Sequence, residues 1–187
     1  MPAYILTGTP GAGKTAVLRL LETLGQAVVE EAATDVIALD SALGCDESWR
    51  DPAFIDKIIA LQRRRQEAVG DHRGTAVFFD RSPVCTLALS RHLGLAPSLS
   101  LTREVDRVLA EGTYARTVFF IRNQGFVRPT EARRISYEDS LAFERIHEDT
   151  YRELGFALVD VPAGPLADRA GLILSRSAFG RRATTSS

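Results

Sequence analysis

Residues Gly8 to Thr15 read GTPGAGKT, directly after the apolar run Ala3, Tyr4, Ile5, Leu6 and directly before a helical pattern. A glycine-rich loop between a strand and a helix constrains the fold more than any other feature, because it is the phosphate-binding connection of a parallel α/β sheet. Gly8, Gly11 and Gly13 admit backbone angles closed to other residues, so successive N–H groups, those of Ala12 and Ala16 included, can turn toward a polyphosphate. These donors lie at a helix N-terminus, where the dipole also favours an anion. Lys14 is expected to reach the β- and γ-phosphates, and the Thr15 hydroxyl to hold Mg²⁺. The only other lysine is Lys57, so an ammonium stands at position 14 in a chain that otherwise uses arginine.

Past this loop the chain alternates strands and helices. Val17, Leu20, Leu21 and Leu24 recur at helical spacing and Gly25 stops them. Ala27 to Val29 is a second short apolar run, ending at Glu30 and Glu31. A loop over Asp40 to Asp51 is expected to lead into a helix from about Pro52 to Val69. Thr75 to Phe79 reads as a third strand, followed by Asp80, Arg81, Ser82 and Pro83, with Ser82 as N-cap and Pro83 opening a helix. A helix over about Leu101 to Ala110 and a strand over Ala115 to Ile121 come next. Ser136 to Asp139 resemble a capping box at the start of a long helix, Phe156 to Val161 is the fifth strand, and Leu166 to Ser177 is the last helix.

Five strands alternating with helices predict an α/β, three-layer P-loop NTPase fold: a five-stranded parallel sheet with helices on both faces and a short arginine-rich lid at about 122–135. One domain is expected over residues 1–177, with a frayed tail, AFGRRATTSS, over 178–187. The 187 residues carry a formal net charge of −1, which gives no electrostatic case for nucleic acid. Cys45 and Cys85 lack metal-ligand spacing and read as free thiols. With no signal-peptide pattern and no stretch of about 20 apolar residues, the expectation is a cytoplasmic protein off the membrane.

Ligands of such sheets bind at the carboxyl ends of the strands, which brings the phosphate loop, Glu30/Glu31, Asp80/Arg81 and Arg122 to one edge. Asp80 closes a strand that resembles a Walker B strand and is placed to contact Mg²⁺. Motor-type ATPases usually carry a glutamate after this aspartate; Arg81 there resembles nucleoside and nucleotide kinases, where the arginine helps hold the acceptor. A plain strand-end ion pair is the competing reading. One of Glu30 and Glu31 points to the cleft and could take the acceptor's proton; equally, the two could cap the following helix. Arg122, Arg128, Arg133 and Arg134 fall in or beside the lid segment, where cations could meet the transferred phosphoryl group, and could also be a solvated face. Trp49, Phe54 and Tyr137 are weaker candidates for an acceptor pocket. His147 reads as packed on the apolar face of its helix, and His72 and His92 have no partner at metal-ligand spacing. The turn Pro162 to Pro165 could lie against adenine.

Taken together, GTPGAGKT, VVEEAA, FFDRS, the arginine segment and EDSLAFERIHEDTYRELGFALVDVP resemble the NadR-like P-loop family, also described as an AAA-type ATPase domain, over Tyr4 to about Leu174. The resemblance favours Glu31, which occupies the glutamate of the family's Glu-Ala-Ala element. It implies NTP binding, ATP or GTP with Mg²⁺, and a kinase acting on a small nucleoside- or riboside-like hydroxyl through Lys14, Glu31, Asp80, Arg81 and the lid arginines Arg128 and Arg133. A nucleotide-dependent switch without a small acceptor is the second reading. No Asn-Lys-x-Asp guanine-reading motif is present. A motor-type ATPase ranks third.

Overall fold

A computed structural model describes residues 2–70, 76–123 and 137–177. Five strands, β1 (Ala3–Thr7), β2 (Ala27–Val29), β3 (Val77–Asp80), β4 (Thr117–Ile121) and β5 (Ala157–Val161), form one sheet in the order β2-β3-β1-β4-β5, with every pairing parallel. Seven α-helices are described: α1 (Lys14–Thr23), α2 (Ala32–Ala42), α3 (Phe54–Ala68), α4 (Pro83–His92), α5 (Leu99–Ala110), α6 (Tyr137–Glu153) and α7 (Leu166–Arg176), with a single 3₁₀ turn at Ser48–Arg50.

Side chains alternate across a strand, and that period sorts the core into two layers. Tyr4 and Leu6 of β1 join Phe78 and Phe119 on one face, where Val17, Leu18 and Leu21 of α1 and Ala170 and Ile173 of α7 cover them. Ile5, Val77, Phe79 and Val118 face the other way, onto Val84 and Cys85 of α4, Val108 of α5 and Tyr151 of α6. A third cluster lies off the sheet, where Val36 of α2, Ile55, Ile58 and Ile59 of α3, Leu87 of α4 and Leu101 and Val105 of α5 pack together. This satellite cluster makes one wall of the cavity described below.

The expected five-stranded parallel sheet with helices on both faces is therefore present, with differences at its edges, while residues 124–135 of the expected lid lie outside the described residues. Ala32–Ala42 is a full helix running into the segment read as a loop from Asp40, and the remainder holds only the 3₁₀ turn. Lys57 explains the order there: its ammonium donates to Asp40 at 2.9 Å and pairs with Asp51 at 2.8 Å, tying the connection to α3. Both carboxylates hold the Lys57 ammonium above its ordinary pKa. Ser82 does precede Pro83 at the start of α4, but its side chain makes no cap. Its Oγ lies 2.8 Å from the hydroxyl of Tyr151, a buried residue of α6 that also lies 3.0 Å from Cys85 Sγ. Tertiary pairing has taken the hydroxyl that local chemistry assigned to the helix. The beginnings expected at Thr75 and Ser136, and the tail from residue 178, lie outside the described residues. No described helix is long and apolar enough to cross a membrane.

Candidate functional site

The phosphate loop joins the central strand β1 to α1, at the point where the chain first moves toward β2 and β3 and later returns to build β4 and β5. That switch point opens a crevice above the strand ends. Gly8, Gly11 and Gly13 have φ of 131°, 83° and 84°, with Gly13 as the N-cap of α1. At Gly8 the requirement is also steric: a Cβ there would stand 2.3 Å from the Ile121 carbonyl oxygen at the end of β4. Lys14 is buried, and its Nζ donates to the Thr9 carbonyl at 2.9 Å, closing the loop on itself. Thr15 and Ala16 are exposed in the first turn of α1. Ala12 sends its methyl into the core beneath the loop and its N–H to the Thr9 carbonyl at 3.3 Å, so it shapes the loop from within.

Arg169 of α7, which no sequence motif singles out, donates from Nη2 to the Ala12 carbonyl at 2.7 Å while buried to 3% exposure. Burial pushes its guanidinium pKa down. An arginine on the apolar face of the last helix was the available signal.

On the other side of the loop, Arg81 is the single non-glycine residue with positive φ among the described residues, at 74°. Its N–H donates to the Leu6 carbonyl at 3.0 Å, extending the β1–β3 ladder by one bond as the chain turns. A left-handed arginine costs on the order of 1 kcal/mol, so the surroundings must enforce it. Its Nε donates to Glu31 Oε1 in an ion pair whose side chains are 11% and 13% exposed. Burial works against the Arg81 charge, but Glu31, together with Cys85 and Asp80, more than offsets it and holds the guanidinium above its usual pKa. Glu31 is the N-cap residue of α2 and accepts from Thr34 Oγ1 at 2.9 Å, while Arg65 donates to the backbone carbonyls of Glu30 and Glu31 at 3.0 and 2.8 Å. Glu30 turns to the surface and pairs with Arg19. The acidic pair is thus split as strand alternation requires, with Glu31 inward.

Asp80 is buried at the end of β3, beside Leu6 in the sheet register. Its neighbours Arg81 and Glu31 line a cavity of about 410 Å³, and so does Pro10 of the phosphate loop. The rest of the wall is largely apolar, with Ile37, Trp49, Phe54, Ile58, Leu89 and Phe143 prominent. Trp49 and Phe54 were named from sequence as possible pocket residues; Gln62, Thr86, His92 and Asp139, also in the wall, were not. Thr86 Oγ1 donates to Gln62 Oε1 at 3.2 Å, which presets the amide of Gln62. His92 stacks on Phe143 at 4.4 Å, and burial pushes its pKa down.

Arg122 directly follows β4, at the start of the segment expected from sequence to form a lid. Its guanidinium pairs with Glu144 at 2.9 Å, Asp160 at 2.6 Å and Glu148, and lies 4.4 Å over the Phe120 ring. In this arrangement it clamps α6 to the ends of β4 and β5, and a phosphate would have to displace carboxylates to reach it. Arg128, Arg133, Arg134 and His72 lie outside the described residues, and of Tyr137 only the backbone position at the start of α6 is described.

Residues 3–169 match the family model of an AAA domain. No curated protein sequence matches the chain. Among solved structures, the chain is similar to deoxyadenosine kinase from M. mycoides bound to dCMP and dCDP (TM-score 0.61, 15% identity, covering 93% of this chain and 97% of that one). It is also similar to thymidylate kinase from Candida albicans (TM-score 0.57, 11% identity, 96% and 92%). The M. mycoides enzyme with bound dATP gives a TM-score of 0.56 at 14% identity, over 93% and 98% of the two chains. At these identities the likeness is one of fold: the five-stranded parallel α/β arrangement of P-loop kinases.

Proposed function

The chain belongs to the AAA domain family, and within it we propose a small-molecule kinase that moves the γ-phosphate of ATP onto a hydroxyl of a nucleoside- or riboside-like acceptor. The observation that carries this reading is the shared cavity: Pro10 of the phosphate loop, Glu31 and Arg81 line one apolar-walled space of about 410 Å³. That volume suits a nucleoside-sized molecule, and its position puts the acceptor against the donor's phosphates. A nucleotide switch has no use for such a space beside its loop.

In the proposed reaction the loop N–H groups and Lys14 hold the triphosphate. Glu31 accepts the proton from the acceptor hydroxyl as its oxygen bonds to the γ-phosphorus, and the bond from that phosphorus to the bridging oxygen breaks to release the diphosphate. Arg81, freed of its anionic partner as Glu31 takes up the proton, meets the charge developing on the phosphoryl oxygens. Thr15 and Asp80 offer a hydroxyl and a carboxylate at the loop and strand end, the hard oxygen donors that Mg²⁺ prefers, and bound there it would neutralise phosphate charge. The lid arginines Arg128 and Arg133 belong to this proposal as further phosphate contacts.

The charge of the cavity supports an acceptor that carries no phosphate of its own. Among its described lining residues Arg81 is the one permanent cation, and it is set against the carboxylates of Glu31 and Asp139. A dianionic monophosphate would meet net repulsion there, while the aromatic and aliphatic walls suit a flat, uncharged or cationic ring. The NadR-like resemblance points the same way, toward a riboside.

The test is transfer of labelled γ-phosphate from ATP, and in parallel from GTP, to a panel of nucleosides, ribosides and their monophosphates with Mg²⁺. Transfer to an unphosphorylated member, abolished in Lys14→Ala, is the expected result. A panel with no transfer, from a protein that still binds ATP, refutes the kinase and favours the switch.

A further inference from the structure

His147 belongs to the same site without touching its cavity. It is fully buried on α6, and its ring is held at both nitrogens. Nδ1 lies 3.0 Å from the Phe143 carbonyl oxygen, and Nε2 lies 3.4 Å from Arg81 Nη1. These two partners determine the tautomer. A carbonyl only accepts, so Nδ1 carries the hydrogen; a guanidinium only donates, so Nε2 presents its lone pair. Phe143 packs edge-on against the ring at 4.2 Å, fixing its plane as well.

The consequence falls on Arg81. Its guanidinium has five N–H donors, and Glu31 takes one at Nε while His147 takes one at Nη1. The backbone of Arg81 is set by its φ of 74° and its bond to Leu6, so the side chain is fixed at its root and at two points of its fork. Three donors remain on a group whose direction is settled. A second carboxylate in place of His147 would grip equally well but would also cancel the positive charge. A neutral imidazole grips without cancelling.

Resting on the kinase reading above, we infer that His147 is a positioning residue for phosphoryl transfer: as the neutral Nδ1–H tautomer it accepts from Arg81 and, opposite Glu31, aims the guanidinium at the transferring phosphoryl group while leaving its charge available. The electrostatics of the ring agree. Burial, and then the charge of Arg81, push its pKa down to about 3; the Phe143 carbonyl pulls the other way, and Lys14 and His92 add to the lowering. With that shift the ring stays uncharged through the neutral and mildly acidic range.

Two measurements test this. Long-range ¹H–¹⁵N spectra of the full chain labelled at histidine should show His147 protonated at Nδ1 alone, unchanged from about pH 7.5 to pH 5.5, since an ordinary histidine titrates near 6.5. A ring protonated at Nε2, or one that becomes charged over this range, overturns the inference. This arm needs no activity, so it decides the His147–Arg81 bond even if no acceptor is ever phosphorylated, an outcome that would sink the kinase reading alone. With an active wild type, His147→Phe should lower kcat by roughly 10- to 100-fold with little change in acceptor KM, the cost of a misaimed group. His147→Gln, whose amide oxygen can stand near Nε2, should recover most of the loss. In an Arg81→Ala background His147→Phe should cost nothing more, because its partner is gone. Equal losses for Phe and Gln, or a full penalty persisting without Arg81, refute the positioning role. Should the Phe variant fail to fold, His147→Leu, which also lacks an acceptor there, takes its place in the same cycle.

Discussion

Gly8→Ala tests how tightly the phosphate loop is built against the sheet. The backbone at Gly8 has φ of 131°, well outside the region an L-residue accepts, and the added methyl would stand 2.3 Å from the Ile121 carbonyl oxygen. Strain of this kind costs roughly 1–3 kcal/mol. The overlap adds to it, because ordinary carbon–oxygen contacts begin near 3.3 Å. One strand end must therefore move by about 1 Å, which for forced repacking costs roughly 1–3 kcal/mol more. The sum, about 2–6 kcal/mol, lowers Tm by on the order of 10 °C in a chain of this length. Gly94→Ala is the control: its φ is 68° and nothing lies within 4 Å of the methyl it would gain, so only left-handed strain of about 1 kcal/mol is felt. Calorimetric melting of both variants beside the wild type gives the comparison, and titration with ATP gives the accompanying loss of affinity. If the two alanine variants melt within a degree or two of one another, the close approach of the loop to β4 has no energetic weight and the reasoning fails.

Three further outcomes follow from the same contacts. His147, with its pKa pushed down to about 3, binds fewer protons folded than unfolded between there and its ordinary 6.5. The stability tied to its neutrality is complete above pH 6.5 and is lost as pH falls; urea melts should show wild type losing up to about 1.4 kcal/mol per pH unit relative to His147→Gln, and parallel curves would contradict this. Tyr151→Phe leaves the ring in place but removes the hydroxyl shared by Ser82 and Cys85, and should cost about 1 kcal/mol in chemical denaturation; an unchanged midpoint would mean the buried hydroxyls gain nothing from one another. Arg169→Leu removes a buried cation whose desolvation opposes folding, so the melting temperature should change little, while ATP affinity should fall about tenfold as the Ala12 carbonyl loses its brace. A large Tm loss with unaltered affinity would assign Arg169 to the core instead of the loop.

The sheet was legible because its strands are near-continuous apolar runs, the mark of parallel strands covered on both faces. Glu31 could be separated from Glu30 only by resemblance, and the structure puts the two on opposite sides, since a period of two cannot place both in one cleft. The helix Ala32–Ala42 was harder to bound, because its C-terminal order depends on Lys57, 17 positions along the chain, reaching back to Asp40. Ser82 shows the same limit from the other side: a residue well suited to cap a helix finds its partner in Tyr151, 69 positions along the chain. His147 looked like packing because apolar periodicity reports which face is buried and says nothing of what the ring nitrogens meet. Arg122 looked like a phosphate ligand by position, and its three carboxylate partners come from α6 and β5, which no local pattern connects to it.

The strand order separates two inheritances. The phosphate loop is held by the central strand, α1 and the brace from α7, while most of the cavity wall comes from α2, α3 and α4, all threaded between β2 and β4 in the chain. On the proposed kinase reading, substitutions in that stretch, at Ile37, Trp49, Phe54 or Gln62, would alter the acceptor pocket while leaving the residues of the phosphate loop itself unchanged. If the proposed reaction holds, a lineage built on this plan could change its acceptor and keep its donor, and the residues to exchange in redesigning such a chain are those of one contiguous stretch.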